Sequence, residues 1–159
     1  MKERLYAIPE SQQRILLTKP ILGLFKTHRQ QGLEAESGGL LFAEFDFPII
    51  RIVEVSPPHK SDKCWRTLFI PNRVLQRQYI KQRFKQGLHF VGEWHTHPQD
   101  KPSPSDLDLE SMADSFLRSH HELSYFVMII VGKATDSLEL WVSVHNGNRY
   151  IQLKEEPVS

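Results

Sequence analysis

Two histidines and a following acidic residue have the types and spacing of a metal site. His95 and His97 are separated by one residue. In a β-strand, residues i and i+2 project from the same face, so the two imidazoles are expected to point together. Pro98 ends the strand because it cannot donate to a ladder, and a stiff seven-residue loop with three prolines leads to Ser105. Asp108 follows in the first turn of a predicted helix.

This set of side chains fits one kind of ion and has one ordinary alternative. Two imidazole nitrogens and one carboxylate oxygen suit Zn²⁺, and three protein ligands leave a fourth position for a catalytic water. Bound zinc can lower the pKa of that water to about 7. However, Ser105 followed three residues later by Asp108 is also close to a helix capping box, and His-x-His pairs also occur on surface strands. The combination favours one catalytic zinc ion at His95, His97 and Asp108.

A hydrolytic zinc site also needs a general base, and three glutamates are candidates. Glu36 precedes Ser-Gly-Gly at the start of a predicted strand, where glycine would let another backbone or a substrate approach closely. Glu93 lies two residues before His95 and should share its strand face. Glu34 lies two residues before Glu36. The spacing alone does not choose among the three.

Hydrophobic periodicity predicts strands and helices in mixed order. The segment 14–17 is either a strand or the lead-in to a first helix. Other strands are predicted over 39–45, 49–55, 66–70, 89–94, 125–131, 138–144 and 150–153, and helices over 20–31, 72–86 and 105–118. This order indicates an α/β sandwich with a central mixed sheet flanked by helices.

The helix predicted over 72–86 is basic and contains no acidic residue. Its cations are Arg73, Arg77, Lys81, Arg83 and Lys85. Such a set is common on a solvated helix face, and it would also suit a docking surface for an acidic partner. The sequence leaves both interpretations open.

Composition limits the class of protein. The 159 residues, 40% apolar and 25% charged, predict a single domain over 1–153 and a frayed polar tail over 154–159. A net charge of +1 argues against nucleic acid as a partner. The single cysteine, Cys64, excludes an internal disulfide and is interpreted as an incidental thiol. No signal peptide or membrane span is evident, so a cytoplasmic location and no membrane partner are expected.

The motifs together resemble the signature of the JAB/JAMM (MPN+) zinc metalloproteases. The matching elements are Glu36-Ser-Gly-Gly, His95-Thr-His97-Pro98, seven residues, Ser105 and Asp108. The lead-in Gly-Glu-Trp and the later Pro-Ser-Pro-Ser are similar to a bacterial stand-alone subgroup that includes the deconjugating peptidase of CBASS antiphage operons. The resemblance covers nearly the whole chain and implies a JAB/MPN-like sandwich with a curved mixed sheet.

The resemblance implies a role for each motif residue. His95, His97 and Asp108 would bind zinc, Glu36 would be the general base, and Ser105 would hydrogen-bond the oxyanion. The expected reaction is hydrolysis of the bond after the C-terminal residue of a ubiquitin-like protein, or of a CD-NTase (a cGAS-like nucleotidyltransferase), conjugated to a target. A ubiquitin-transfer-like enzyme of the same operon is an expected partner, and the host would be a bacterium.

Other functions are compatible with parts of this pattern. A JAB peptidase could instead process the C-terminus of a sulfur-carrier or ubiquitin-like precursor. Relatives that lack the ligands serve as non-catalytic MPN-type scaffolds, but this chain keeps every ligand. The short segments 57–64 and 98–104 leave little room for the insertions with which eukaryotic relatives recognise ubiquitin chains. Neither the motif nor the resemblance assigns a role to Glu93.

Overall fold

A nine-stranded mixed sheet forms the centre of the computed structural model, which describes residues 2–65, 68–119 and 123–157. The strands are β1 (Arg4–Ala7), β2 (Arg14–Leu17), β3 (Gly38–Asp46), β4 (Ile49–Val55), β5 (Lys63–Trp65), β6 (Leu68–Ile70), β7 (His89–Thr96), β8 (Phe126–Val131), β9 (Leu140–His145), β10 (Tyr150–Gln152) and β11 (Glu155–Glu156). The helices are α1 (Lys19–His28), α2 (Arg73–Phe84) and α3 (Asp106–Arg118).

The strand order places β7 near the middle of the sheet. The order is β10-β9-β8-β7-β3-β4-β2-β1-β11, and β5 and β6 form a separate hairpin. The pairs β7–β8 and β2–β4 are parallel, while the other neighbours are antiparallel. The strand that carries His95 and leads into His97 is therefore held on both edges, by β3 and β8, which fixes the direction of its side chains.

Helices cover both faces of the sheet, as β8 shows by its alternation. Phe126, Met128 and Ile130 pack against Met112 of α3 on one face. The intervening residues of β8 pack on the other face in the cluster that contains Phe25 of α1. All six residues of β8 are buried, which explains its continuous apolar sequence. The predicted α/β sandwich with a mixed sheet is confirmed.

The two ends of the chain differ from the sequence-based expectation. β1 was not predicted, and β11 lies within the tail that was expected to fray. The two strands pair with each other, with Leu5 opposite Glu156, and Arg14 of β2 lies 2.9 Å from the carboxylate of Glu156. Local periodicity cannot reveal this pairing, because it joins two very short segments about 150 residues apart. Residues 158 and 159 of the predicted tail lie outside the described residues.

Other predicted elements need small corrections. The segment 14–17 is the strand β2, which settles the alternative left open above. α1 ends at His28 instead of residue 31, and Gln30 is buried with 1% exposure beyond it. The strand predicted over 66–70 corresponds to β6, while its first two residues lie outside the described part of the chain. No helix among the described residues is long and apolar enough to cross a bilayer.

Buried His145 is expected to make folding stability depend on pH. Burial lowers the pKa of His145 to about 4, and its Nε2 lies 2.7 Å from Ser143 Oγ. In the unfolded chain His145 binds a proton below a pH of about 6.5. In the folded chain it stays neutral until the pH falls to about 4. The stability due to this neutral histidine is therefore complete above pH 6.5 and is lost as pH falls towards 4. Between pH 7 and 5 the loss should be about 2 kcal/mol.

Urea unfolding of the wild type and the His145→Gln variant at both pH values measures this contribution. The variant should be less sensitive to pH than the wild type by about that amount. Equal losses in the two proteins would show that His145 does not carry the effect.

Candidate metal centre

His95 and His97 converge at the carboxyl end of β7. Trp94 and Thr96, which alternate with them, face α1: the Trp94 ring packs 5.4 Å from the Phe25 ring, and Thr96 Oγ1 donates to Gln30 Oε1 at 3.1 Å. The two histidines therefore project from the opposite face, towards α3. Their Nε2 atoms lie 3.1 Å apart, as the His-x-His spacing predicts.

The capping box of α3 positions Asp108. The Asp108 backbone N–H donates to Ser105 Oγ at 3.1 Å, and the Ser105 N–H donates to Asp108 Oδ2 at 2.9 Å. The same Oδ2 atom lies 3.2 Å from His95 Nε2 and 3.1 Å from His97 Nε2. The structural and functional interpretations of this pair are therefore compatible, because the helix cap aims the carboxylate at the histidines.

The three side chains fit a tetrahedral zinc ion. His95 Nε2, His97 Nε2 and Asp108 Oδ2 are separated pairwise by 3.1–3.2 Å. Zinc bonds of about 2.0–2.2 Å in tetrahedral geometry place ligand atoms about 3.3–3.5 Å apart. Two nitrogens and one carboxylate oxygen are a donor set that zinc accepts readily. Among the described residues, this is the group of histidine, cysteine and acidic side chains close enough to hold an ion.

Electrostatics within the cluster favour a positive charge at its centre. Burial alone would raise the pKa of Asp108, but hydrogen bonds from His95 and His97 outweigh it and hold that pKa well below its usual range. Burial lowers the pKa of His97, and the contacts with Asp108 and Glu36 more than compensate, so the net pKa is raised. A metal cation bound to the three atoms would replace these protons as the compensating charge.

Of the three glutamates left open by the spacing, Glu36 lies beside the cluster in a buried position. Its side chain is 4% exposed, and its Oε2 atom lies 3.9 Å from His97 Nε2. Burial raises the pKa of Glu36 to about 7, with His97 opposing the shift and Asp108 adding to it. A bound dication would lower this pKa again, because positive charge favours the carboxylate.

The other two glutamates have different partners. Glu93 lines the same cleft as Glu36 and His95, but its carboxylate pairs with Arg73 of α2. Glu34 is exposed and accepts a hydrogen bond from the backbone N–H of Gln31. The geometry therefore distinguishes Glu36 from the two alternatives that the sequence could not separate.

The arrangement of this site agrees with a match to a known family. A model of the prokaryotic homologues of the JAB domain matches residues 18–144, more than three quarters of the chain. The chain belongs to this family. The matched segment contains His95, His97 and Asp108 together with Glu36 and Ser105. The candidate site therefore lies within the part of the chain that defines the JAB domain.

Relatives of this JAB domain have been named for an activity. A protein of Escherichia coli (strain TW11681), a CD-NTase/cGAS isopeptidase, is 27% identical over 148 residues, which cover 91% of this chain and 90% of the relative. A protein with the same name from Enterobacter hormaechei subsp. hoffmannii (strain UCI 50) is 35% identical over 124 residues, 76% of this chain and 69% of the relative.

The fold of this JAB domain also occurs in a solved structure. The solution structure of a protein from Desulfitobacterium hafniense superposes with a TM-score of 0.62 and covers 88% of each chain. The two sequences are 20% identical, so the likeness concerns the fold alone. The same arrangement of strands and helices therefore occurs in this distant sequence.

Gln99 is a supporting residue of this JAB domain that the sequence reasoning missed. Its Oε1 atom lies 3.2 Å from His97 Nδ1 and accepts the Ser103 N–H at 3.1 Å. A histidine that ligates a metal through one nitrogen is usually oriented by a partner on the other. Gln99 thus fixes both the His97 ring and the loop before α3. A glutamine two residues after a ligand gives no periodic or compositional signal.

Gly39 allows the close packing behind Glu36. A Cβ at this position would lie 2.2 Å from the Ser56 carbonyl oxygen, so a side chain does not fit. The Ser56 carbonyl also accepts the Trp94 indole N–H at 3.2 Å, and Ser56 Oγ accepts the Leu40 N–H at 2.7 Å. The segment that approaches this glycine closely is therefore the backbone at Ser56. Ser56 hydrogen-bonds residues of both β3 and β7.

Proposed function

We propose that this JAB domain is a zinc-dependent isopeptidase of bacterial antiphage defence. It hydrolyses the bond after the C-terminal residue of a CD-NTase, or of a ubiquitin-like protein, joined to a target by a ubiquitin-transfer-like enzyme of the same operon in the bacterial cytoplasm. The observation that carries the proposal is the convergence of His95, His97 and Asp108 with buried Glu36 beside them. The names of the relatives support the CD-NTase as the conjugated protein.

Each residue of the cluster has a role in this proposal. His95, His97 and Asp108 hold zinc, and Gln99 keeps the His97 ring in place through Nδ1. Bound there, Zn²⁺ supplies a Lewis acid and a water molecule of lowered pKa. The three ligands come from one strand end and one helix start, so the site is assembled by rigid elements.

Glu36 transfers the proton in the proposed reaction. Its carboxylate takes a proton from the attacking water as the new C–O bond forms at the scissile carbonyl carbon. The same carboxyl group then gives that proton to the lysine nitrogen as the C–N bond breaks. Burial raises the pKa of this carboxyl group and a bound dication would lower it, so the two effects together set how readily Glu36 takes and gives the proton.

Ser105 provides a hydrogen-bond donor at the edge of the cleft. Its Oγ accepts the Asp108 N–H through a lone pair, which leaves the hydroxyl proton free for the substrate. Ser105 lines the same cleft as Glu36 and His95. It can therefore donate to the carbonyl oxygen of the substrate as negative charge develops there.

Replacing Ser105 by alanine should lower kcat by about 100-fold, the effect expected for one oxyanion donor. The variant should also lose about 1 kcal/mol of stability with the helix cap. Steady-state kinetics and thermal unfolding measure the two effects, with Ser103→Ala as the control in the neighbouring loop. Activity within twofold of the wild type would remove Ser105 from the reaction.

A panel of fusion proteins tests the proposed activity. The zinc-loaded protein is incubated with a fluorescent protein fused behind a CD-NTase, behind ubiquitin and behind a sulfur carrier. We expect cleavage after the last residue of the CD-NTase, its loss with a chelator and its return with zinc. Cleavage of the sulfur-carrier fusion alone would favour precursor processing. Binding of a fusion without any cleavage would favour the non-catalytic scaffold.

A further inference from the structure

A second groove runs from the metal-site cleft between α2 and α3. Its floor includes Leu40 of β3 and Phe90 of β7, and its walls are successive turns of the two helices. Arg73, Glu93 and Ser111 line both the groove and the cleft that contains His95 and Asp108. The groove is therefore continuous with the space in which a substrate would be cleaved.

One wall of this groove carries an excess of positive charge. Arg73, Arg77 and Lys81 are spaced four residues apart, which places them along one edge of α2, and all three are exposed. The charged residues of the lining are four cations and two carboxylates: Arg73, Arg77, Lys81, Arg118, Glu93 and Asp114. The lining as a whole therefore has two uncompensated positive charges.

The existing ion pairs leave two cations without a partner. Arg73 pairs with Glu93 and also donates to Gln76 at 2.7 Å, so it is held at the junction of groove and cleft. Arg118 pairs with Asp114 at 2.8 Å. Within the described ranges, Arg77 and Lys81 form no ion pair. The excess charge is thus located on the middle and the distal end of the α2 wall.

α2 lies on the sheet without fully burying any of its residues. Leu75, Tyr79 and Ile80 are half-buried along one face of this helix, and the Tyr79 ring lies 5.4 Å from the Phe42 ring of β3. Ile80 projects into the groove beside the two free cations. An occupant of the groove would therefore meet apolar surface below and positive charge at the side.

We propose that this groove binds an acidic segment of the protein substrate next to the scissile bond. From Arg73 to Lys81 the helix rises about 12 Å, which an extended chain covers in about four residues. The segment would place carboxylates against Arg77 and Lys81 and a less polar residue on the floor. This inference rests on the proposed isopeptidase function, since it names a further feature of the same substrate.

A charge-reversal variant tests the groove in the zinc-loaded full chain. Arg77→Glu/Lys81→Glu is compared with Lys19→Glu/Lys26→Glu, the same change in charge on α1 across the sheet. The substrates are two CD-NTase–fluorescent-protein fusions that carry three glutamates or three glutamines within four residues of the scissile bond. Each pair is made twice, with the triplet on either side of that bond.

For one of the two positions of the triplet, the glutamate substrate should be cleaved with a kcat/KM about fivefold higher than that of the glutamine substrate. The difference should come from a lower KM. The groove variant should lose this preference and still cleave the glutamine substrate normally, while the α1 control keeps the preference. Raising the salt concentration should weaken it. A wild type without any preference, or a groove variant that retains it, would overturn the proposal.

Binding measured apart from hydrolysis separates this inference from the proposed function. Fluorescence anisotropy with a labelled triglutamate peptide should show binding to the wild type and the α1 control but not to the groove variant, whether or not any fusion is cleaved. A single-stranded oligonucleotide is the competing probe. If it bound the groove more tightly than the acidic peptide, the surface would be a nucleic-acid site and the proposal would be wrong.

Discussion

Replacing Glu36 by glutamine is expected to abolish hydrolysis and leave zinc bound. Glutamine keeps the size of the buried side chain but cannot take a proton from water. General base catalysis contributes about 10²–10⁴-fold, so kcat should fall by at least 100-fold. Glu36 is not one of the three residues grouped as candidate ligands, and its carboxylate lies 3.9 Å from His97 Nε2. Zinc content, measured by atomic absorption, should therefore remain one ion per chain.

Two matched variants control for the loss of a carboxylate near the site. Glu93→Gln removes a charge that is paired with Arg73, and Glu34→Gln removes an exposed one. Both should retain kcat within a few fold of the wild type. If Glu93→Gln were inactive and Glu36→Gln active, the base would be the glutamate on β7 and the present assignment would be wrong.

Replacing Asp108 by alanine should remove zinc and activity together. The carboxylate would be the single oxygen ligand of the proposed zinc ion, and its loss would leave two imidazoles to hold that ion. We expect zinc affinity to fall by more than about 100-fold, the upper end of the effect of residues that merely support ligands. A zinc titration monitored with a competing chelator dye measures this, and activity at micromolar zinc should be lost.

Ser105→Ala separates metal binding from helix capping. The Asp108 carboxylate also accepts the Ser105 N–H. Removing this carboxylate should therefore lower the free energy of unfolding by about 1 kcal/mol through the loss of the helix cap. Ser105→Ala removes the other hydrogen bond of the same cap, from the Asp108 N–H to Ser105 Oγ, but it removes no proposed zinc ligand. It should therefore keep zinc at wild-type affinity, whereas Asp108→Ala should not. Full zinc occupancy in both variants would exclude Asp108 as a ligand.

The grouping of His95, His97 and Asp108 was predictable because the sequence patterns that indicate it are local. The period of two along a strand places His95 and His97 on one face, and a capping box marks the first turn of a helix. Seven residues with three prolines then leave the chain few ways to join these elements. The structure brings together the same three residues that were predicted from the sequence as metal ligands.

The remaining features depend on contacts between distant segments. Glu36 lies about sixty residues before the histidines, and only the antiparallel pairing of β3 with β7, which sets Gly38 opposite His95, brings it close. The pairing of Glu93 with Arg73 depends on how α2 lies over the sheet, which no periodicity specifies. The strands β1 and β11 have four and two residues, which is too short for their sequences to predict a pairing between the chain ends.

A zinc titration of isopeptide cleavage tests the metal dependence and the cleavage site of the proposed isopeptidase in one experiment. The metal-free protein is mixed with a CD-NTase joined through its last residue to a lysine side chain of a target, and zinc is added in steps. We expect activity to rise in proportion to zinc, to stop increasing at one equivalent, and to yield an intact target and a CD-NTase ending at its last residue by mass spectrometry. Cleavage without metal, cleavage inside the tail, or one bound zinc ion without any cleavage would show that the chain is not the proposed zinc isopeptidase.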